Sequence, residues 1–380
     1  MKRSHLTVAA AALCACALAL PSVAAAKRPD DGGAKGASAR PNVITIMTDD
    51  QDFRSLGAMP KTRKLLVRRG TTFTNNVVNY PLCCPSRATY YTGQYAHNHG
   101  VLWNNWPEGG YYDFNGAETL PVWLQRAGYR TIHIGKYLNE YGTRDPYEVP
   151  RGWSEWWGGV DPSTYDYYGY TLNHNGALRT YGRAASDYST DVYARIAKRE
   201  IKDAARAKKP FFLNLAPNAP HTVAVETEAK AEGTPALPAP RDEAAAAGLE
   251  MPIYPNYNEA DLSDKPALEV FYPTPFGPDV AASLERHYRG RTGSLFAVDD
   301  MVAGVHRALV RAGEAENTVI IFTSDNGWIL GEHRLYDWVT QDGSASGVKY
   351  VPFEGSSRVP LIIAGPGFPE REKVKGVTVN

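Results

Sequence analysis

Short runs of consecutive apolar residues, many of them β-branched, recur along the chain and predict buried strands of a parallel sheet. The predicted strands are Asn42–Met47, Tyr129–Ile134, Phe211–Leu215, Thr318–Thr323 and Val359–Ile363, with a shorter extended piece at Thr71–Phe73. Between them, helical patterns that end at glycine or lysine predict helices over Lys61–Arg69, Glu118–Arg126, Asp187–Lys208 and Val280–Ala312, the last with a break near Gly290–Gly293. This alternation predicts an α/β domain with a mostly parallel central sheet flanked by helices.

In two long segments the apolar residues show neither the helical nor the strand periodicity. Residues 144–181 are loop-like and rich in Trp, Tyr, Gly and Asn. Residues 222–278 are rich in Pro, Ala and Glu, and they are too long for a plain connection. We therefore expect the second segment to be an excursion on the substrate side of the domain.

Polar residues follow four of the predicted strands at the point where each strand ends. Asp49-Asp50, Lys136, His221 and Asp325-Asn326 are these residues. An Asp after a strand is by itself most often a turn residue, and a single His there is usually surface or core. Their coincidence favours a site, because ligands of parallel α/β sheets bind outside the carboxyl ends of the strands.

Composition indicates an exported globular protein. The chain has 380 residues, 43% hydrophobic content and a formal net charge of zero. Residues 1–26 are typical of a cleaved signal peptide, and residues 27–40 of a disordered linker, so we expect a secreted or periplasmic protein. Acylation of Cys16 as a lipoprotein is the less favoured alternative. No other stretch is long and apolar enough for a membrane span, and the nearly neutral charge does not favour nucleic acid.

Only Cys83 and Cys84 remain once the signal peptide is removed. A disulfide between neighbours is disfavoured, because their Cα atoms lie ~3.8 Å apart, below the ~4.4–6.8 Å of a relaxed bridge. The chain also lacks the cysteine spacing of a zinc site. Pro85 predicts a helix start that brings Cys83 close to a helix N-terminus, where an anion is stabilised. The pair is therefore either chemically active at one position or two buried thiols.

The oxygen-bearing side chains at the strand ends predict a site for a hard cation. Asp49, Asp50, Asp325 and Asn326 together carry three negative charges, which suits Ca²⁺ or Mg²⁺ better than zinc. Basic residues converge on the same region and would surround a tetrahedral oxyanion: Arg87, Lys136, His221 and Lys349. Such a pocket suits the hydrolysis of sulfate or phosphate esters.

At this point the chain resembles the sulfatase family, whose hallmark C-x-P-S-R is Cys83-Cys84-Pro85-Ser86-Arg87 here, followed by Thr92-Gly93-Gln94. The remaining blocks of the family follow in order between about Pro41 and about Gly367: Pro41-Asn42-Val43 to Asp49-Asp50-Gln51, Gly135-Lys136, Ala219-Pro220-His221, Thr323 to Gly327, and Lys349 followed by Glu354 and Arg358-Val359-Pro360. Leu82-Cys83-Cys84 and His97-Asn98-His99 look most like the N-acetylglucosamine-6-sulfatase and heparan endosulfatase branch.

The resemblance implies an alkaline-phosphatase-like fold, with residues 41–380 as a catalytic domain whose C-terminal subdomain is incomplete. It implies that a separate formylglycine-generating enzyme oxidises Cys83, and that the hydrated aldehyde is the nucleophile. It implies that residue 83 binds Ca²⁺, favoured over Mg²⁺, together with the four residues of the oxygen set. Arg87 and Lys136 would stabilise the hydrate, and His221 and Lys349 would hold the sulfate of a sulfated carbohydrate or aryl sulfate, one of them protonating the leaving oxygen.

Some residues depart from this pattern or remain open. Leu138 occupies the position where many arylsulfatases carry a His. The glucosamine-sulfatase branch also lacks this His. His333 either reaches the substrate or is a surface residue, and Cys84 is expected to be a buried spectator. The aromatic segment Trp153–Tyr170 either stacks on sugars or packs under a loop, and packing is favoured. A phosphate or phosphonate ester hydrolase of the same superfamily, or a non-catalytic polyanion-binding protein with unmodified Cys83, is the alternative function.

Overall fold

The computed structural model describes residues 40–223, 234–337 and 347–380. The predicted signal peptide and nearly all of the predicted linker lie outside the described residues, as do parts of two later segments. Within the described part, none of the helices is long and apolar enough to cross a membrane.

Ten strands form one sheet in the order β10-β2-β9-β8-β1-β7-β3-β4-β5-β6. The strands are β1 Asn42–Thr48, β2 Gly70–Val77, β3 Arg130–Gly135, β4 Glu155–Gly159, β5 Thr171–His174, β6 Ala177–Thr180, β7 Phe211–Ala216, β8 Thr318–Ser324, β9 Leu361–Ala364 and β10 Glu372–Val379. Of these ten, β5 and β9 run against the others, because each pairs antiparallel with both of its neighbours. The predicted mostly parallel sheet is confirmed.

The helices cover both faces of this sheet. They are α1 Pro60–Thr62, α2 Cys83–Thr92, α3 Ala96–His99, α4 Leu120–Arg126, α5 Ser189–Ala207, α6 Glu243–Ala247, α7 Pro266–Phe271, α8 Pro278–Ala312 and α9 Glu354–Ser357. Apolar residues of α5 and α8 pack with those of β1 and β7 in the main core, whereas α2 packs with aromatic residues on the other face. Because both faces are covered, the central strands β1 and β7 are buried at almost every position.

Helix α8 is continuous from Pro278 to Ala312, so the predicted break near Gly290–Gly293 is wrong. The two glycines instead permit close packing. A Cβ atom at Gly290 would lie 2.3 Å from the carbonyl oxygen of Ala236, and one at Gly293 would lie 2.5 Å from the Cβ of Ala246. Glycine inside this helix therefore creates room for the segment that crosses it.

The segment 144–181, predicted as loop, contains strands β4, β5 and β6, which form one end of the sheet. Its strand pattern is obscured because Gly and Asn interrupt the apolar residues. Its aromatic rings are mostly buried: Trp153, Trp156, Trp157, Tyr165, Tyr167 and Tyr170 are each at most 7% exposed. The packing interpretation of this segment is therefore correct.

Three further segments of the chain differ from the predictions. The predicted helix Lys61–Arg69 is α1 followed by a π-helical turn at Arg63–Val67, and Gly70 begins β2. Strand β10 was not predicted, because most of it is exposed and polar at the edge of the sheet. The excursion 222–278 contains α6 and α7, with residues 224–233 outside the described part.

Candidate active site at the carboxyl ends of the strands

Backbone hydrogen bonds join the ends of four adjacent strands. The amide of Asp325, after β8, donates to the carbonyl of Thr48 at 3.2 Å, and the amide of Asp49 donates to the carbonyl of Ala219 at 3.2 Å. The amide of Lys136, after β3, donates to the carbonyl of Ala216 at 2.9 Å. Residues that are far apart in sequence therefore leave the sheet at one edge.

The turn after β1 positions two carboxylates. Asp50 has a left-handed backbone with φ of 71°, which is uncommon for a residue other than glycine and is found at strained functional sites. Its amide donates to Oδ1 of Asp325 at 3.0 Å, and the amide of Asn326 donates to the same oxygen at 2.8 Å. The Asp325 side chain therefore holds both the β1 and β8 turns.

Cys83 is the first residue of α2 and is fully buried. Its Sγ lies 2.9 Å from Nζ of Lys349 and 3.5 Å from Oδ1 of Asp49. Burial raises the pKa of the Cys83 thiol, and neighbouring carboxylates oppose the effect of the two lysines. Burial therefore favours the protonated thiol over the thiolate, and the thiolate is the form that acts as a nucleophile.

Two cations lie beneath this residue. Nζ of Lys136 donates to Oδ2 of Asp49 at 2.6 Å, and both side chains are buried. Nε of Arg87 donates to Oδ2 of Asp325 at 2.7 Å, and Nη1 donates to the carbonyl of Lys136 at 2.8 Å. Although burial opposes ionisation, Lys136, with His221 and Arg87, lowers the pKa of Asp49 to about 2. The carboxylate is therefore ionised at neutral pH.

The accessible side of the site is formed by His221 and Lys349, whose side chains are 16% and 14% exposed. Nε2 of His221 lies 3.6 Å from Oδ2 of Asp50, and Nδ1 lies 2.6 Å from the carbonyl oxygen of Thr222. Nζ of Lys349 donates to Oδ1 of Asp50 at 2.7 Å. Burial lowers the pKa of His221, whereas Asp50 outweighs burial and raises the pKa of Lys349.

Two buried oxygens at this site lack a hydrogen-bond donor among the described residues. They are Oδ2 of Asp50 and Oδ1 of Asn326. An unpaired buried acceptor is costly, and a cation would satisfy it. Asp49, Asp50, Cys83 and His221 also bring ligand atoms within 4.8 Å of one another. The carboxylate and amide oxygens fit a hard divalent cation.

Contacts link all nine residues that the sequence predicted for the site: Asp49, Asp50, Cys83, Arg87, Lys136, His221, Asp325, Asn326 and Lys349. Cys84 is a buried free cysteine, and its amide donates to Oδ1 of Asn104 at 3.0 Å. His333 instead contacts Glu259, with Nδ1 2.7 Å from Oε2. Leu138 is buried in the aromatic core.

Sequence reasoning missed Arg291, a buried residue of α8. Its guanidinium donates to the carbonyl of Pro220 at 3.0 Å and to the carbonyl of Asp50, so it joins the turn of Asp50 to the turn of His221. The guanidinium carbon of Arg291 also lies 4.8 Å from the centre of the Trp328 ring. An arginine inside the small-residue stretch Gly290–Ser294 is the available signal, but the glycines of this stretch favour a helix break in the sequence pattern.

Tyr165 was also missed as a neighbour of the site. Nζ of Lys136 lies 4.7 Å from the centre of its ring, and the His221 ring lies 4.9 Å away. Tyr165 belongs to the aromatic segment Trp153–Tyr170, for which the sequence favours a packing role. It packs, and the groups it packs against are two of the predicted site residues.

The comparisons with known proteins agree with this geometry. The sulfatase family model matches residues 41–379. An arylsulfatase of Volvox carteri is 36% identical over 351 residues, covering 88% of this chain and 52% of that protein. The human N-acetylglucosamine-6-sulfatase is 35% identical over 361 residues, covering 92% of this chain and 60% of that protein. The chain thus spans about half to three fifths of the length of these relatives.

Solved structures show the same fold at low sequence identity. A protein in complex with its substrate D-glucosamine-2-N,6-O-disulfate has a TM-score of 0.68 at 22% identity, covering 90% of this chain and 74% of that one. A phosphonate monoester hydrolase of Agrobacterium radiobacter has a TM-score of 0.63 at 21% identity, covering 90% and 71%. The alkaline-phosphatase-like fold is therefore confirmed. From the match of the family model over almost the whole described fold, we conclude that the chain belongs to the sulfatase family.

Proposed function

We propose that this protein is a sulfatase that hydrolyses a sulfate ester of a sulfated sugar resembling N-acetylglucosamine 6-sulfate. In this proposal a formylglycine-generating enzyme converts Cys83 to formylglycine, and one Ca²⁺ occupies the site. One observation carries the proposal: Cys83 is buried at a helix N-terminus, with its Sγ 2.9 Å from Nζ of Lys349 and 3.5 Å from Oδ1 of Asp49, and burial raises the pKa of its thiol. The position suits a nucleophile, whereas the encoded thiol does not.

The residues that would hold the cation are Asp49, Asp50, Asp325 and Asn326, with residue 83 beside them. Two buried oxygens that accept no hydrogen bond from the described residues, Oδ2 of Asp50 and Oδ1 of Asn326, support this assignment. When bound by these residues, a divalent cation would supply positive charge that stabilises the negative charge of the nucleophile and of the sulfate. Because Oδ2 of Asp325 is already bonded to Arg87, that arginine also orients a proposed metal ligand.

The basic residues have separate roles in the proposed reaction. Lys136 and Arg87 are paired with carboxylates below residue 83, so they fix its surroundings and stabilise negative charge there. His221 and Lys349 lie on the accessible side, where they would hold the sulfate. One of these two donates the proton that the leaving alcohol needs, since both have side chains open to the substrate.

The relatives support the substrate class and the location that we propose. A human relative is an N-acetylglucosamine-6-sulfatase, and a relative in Drosophila melanogaster is named as an extracellular sulfatase. The solved structure with D-glucosamine-2-N,6-O-disulfate contains a sulfated amino sugar. Together with the predicted signal peptide, these names favour a secreted or periplasmic enzyme that acts on sulfated sugars.

The test combines mass spectrometry of the peptide containing residue 83 with a hydrolysis assay on N-acetylglucosamine 6-sulfate. We expect an aldehyde in place of the thiol, turnover by the wild-type protein, and loss of turnover in Cys83→Ala. Cys84→Ala is the matched control, because Cys84 is an adjacent buried cysteine that should retain its thiol and tolerate substitution. An unmodified thiol together with no turnover would instead favour a non-catalytic polyanion-binding protein.

A phosphate or phosphonate ester hydrolase is the second candidate. The structural similarity to the Agrobacterium radiobacter phosphonate monoester hydrolase favours it, since the same metal and basic residues would serve both reactions. Sulfate and phosphate esters of one alcohol separate the two functions. Faster turnover of the phosphate ester would replace the sulfatase proposal.

A further inference from the structure

Three aromatic side chains form a cluster at the surface, which we call the Tyr80–Trp103–Tyr350 cluster. The ring centres of Trp103 and Tyr350 lie 5.0 Å apart in an edge-to-face arrangement, and those of Tyr80 and Tyr350 lie 5.4 Å apart. Trp103 and Tyr350 are each 43% exposed, and Tyr80 is half-buried. Large aromatic side chains grouped at the surface mark binding sites more often than isolated ones do.

Each member of this cluster is close in sequence to a residue that lies in or next to the candidate active site. Tyr350 follows Lys349, whose Nζ lies 2.9 Å from Sγ of Cys83. Tyr80 precedes Cys83 by three residues, and Trp103 is followed by Asn104, which contacts Cys84 through its side chain and its carbonyl group. The chain therefore joins each member of the cluster to the residues around Cys83.

The backbone holds the two most exposed rings in place. The amide of Trp103 donates to the carbonyl of Glu108 at 3.0 Å, and its own carbonyl accepts from the amide of Gly110 at 3.1 Å. A Cβ atom at Gly109 would lie 1.8 Å from the Trp103 carbonyl oxygen, so this closed loop requires glycine there. The amide of Tyr350 donates to the carbonyl of Pro81 at 3.0 Å. A ligand would therefore meet two rings that are in contact with each other and carried on a hydrogen-bonded backbone, which lowers the entropic cost of binding.

The hydroxyl groups add polar specificity to this surface. The Tyr80 and Tyr350 hydroxyl oxygens lie 3.0 Å apart, so one donates to the other. The hydroxyl that receives this bond keeps its own proton for another acceptor. An apolar ring face beside hydroxyl groups is complementary to a pyranose, which has C–H faces and an equatorial rim of hydroxyls.

Resting on the proposed function, we propose that the Tyr80–Trp103–Tyr350 cluster binds the pyranose ring of the sulfated sugar whose ester is hydrolysed at residue 83. The aromatic segment 153–170, another group of rings, is mostly buried and leaves little face for a sugar. Sugar recognition in this protein then depends on the loop after α3 and on the residue after Lys349. The cluster selects for a ring and contributes little to the chemistry of the ester.

The experiment compares two substrates in three proteins. The substrates are N-acetylglucosamine 6-sulfate and a short acyclic alkyl sulfate, which has no ring to bind. The proteins are the wild type, Trp103→Ala and the matched control Trp123→Ala. Trp123 is 42% exposed on α4 and lies outside the cluster, so its loss removes a similar exposed ring.

We expect Trp103→Ala to raise KM for the sugar sulfate about tenfold, the effect of losing roughly 1.4 kcal/mol of aromatic contact. Its kcat/KM for the alkyl sulfate should stay within about twofold of wild type, and Trp123→Ala should change neither substrate. Tyr350→Phe, which keeps the ring, should give a smaller increase in KM. Equal losses on both substrates, or unchanged KM for the sugar sulfate, would overturn the proposal.

A failure of the proposed function gives a different result from a failure of the cluster. Wild-type protein that hydrolyses neither ester contradicts the sulfatase proposal alone. Calorimetric titration with N-acetylglucosamine 6-sulfate then tests the cluster by binding. Weaker binding by Trp103→Ala than by Trp123→Ala supports the cluster, and equal binding by the two variants contradicts it.

Discussion

The buried ion pair between Lys136 and Asp49 offers a quantitative test of the site. Nζ and Oδ2 are 2.6 Å apart, and the two side chains are 1% and 0% exposed. Asp49→Asn keeps the shape of the side chain and removes its charge. The Lys136 ammonium then stays buried without its partner, a change that typically costs 3–5 kcal/mol. Because the Asn oxygen can still accept a hydrogen bond, we expect a loss of about 3 kcal/mol.

The pH dependence gives this prediction a sign. In the wild type Asp49 outweighs burial and holds the pKa of Lys136 above its usual value, so the pair stabilises the fold at neutral pH and this contribution fades at high pH. In Asp49→Asn, burial acts on Lys136 with less opposition and lowers its folded pKa. The unfolded state then binds more protons, so stability of the variant rises with pH. The difference between the two proteins should shrink between about pH 7 and about pH 10.

Urea unfolding of metal-free protein, prepared with a chelator, measures the effect. The double variant Asp49→Asn/Lys136→Met should recover much of the loss, because an apolar residue replaces the unpaired charge. Glu118→Gln is the control: it removes an exposed ion pair with Arg126, 2.9 Å long, and should leave the unfolding midpoint unchanged. Additive effects of the two site substitutions, or a difference that does not change with pH, would refute the reasoning.

Two further predictions concern how the backbone is held. Arg291→Met removes the donor to the carbonyls of Asp50 and Pro220, so Ca²⁺ affinity measured by calorimetry should fall about tenfold. Arg291→Lys should show a smaller fall. Equal Ca²⁺ affinity in the wild type and both variants would contradict this role. Gly135→Ala should cost about 3 kcal/mol in urea unfolding, because φ is +104° and the new Cβ would lie 2.0 Å from the Ala216 carbonyl oxygen. Gly57→Ala is the control, because a Cβ atom at Gly57 would have nothing within 4 Å. Equal unfolding midpoints for the two alanine variants would show that the close contact at Gly135 does not destabilise the fold.

Most of the central fold could be predicted because parallel strands are buried on both faces. The apolar runs of β1, β7 and β8 therefore stand out from the helices between them. Strands β4 to β6 were missed, since aromatic residues interrupted by Gly and Asn carry no clear alternation. The glycines of α8 misled for a related reason: they serve close packing against Ala236 and Ala246, which are remote in sequence.

The residue types and their spacing along the chain were enough to identify the side chains that could take part in the chemistry. Acidic, basic and amide side chains follow the strands, and the C-x-P-S-R motif begins a helix, so their convergence follows from the topology of a parallel sheet. The groups that support these side chains, and the aromatic rings that stay exposed at the surface, become visible only in the folded protein. Arg291 reaches the Asp50 turn, and Trp103 meets Tyr350, across about 240 residues of chain in each case. Such contacts depend on packing between distant elements, which leaves no periodic signal in the sequence.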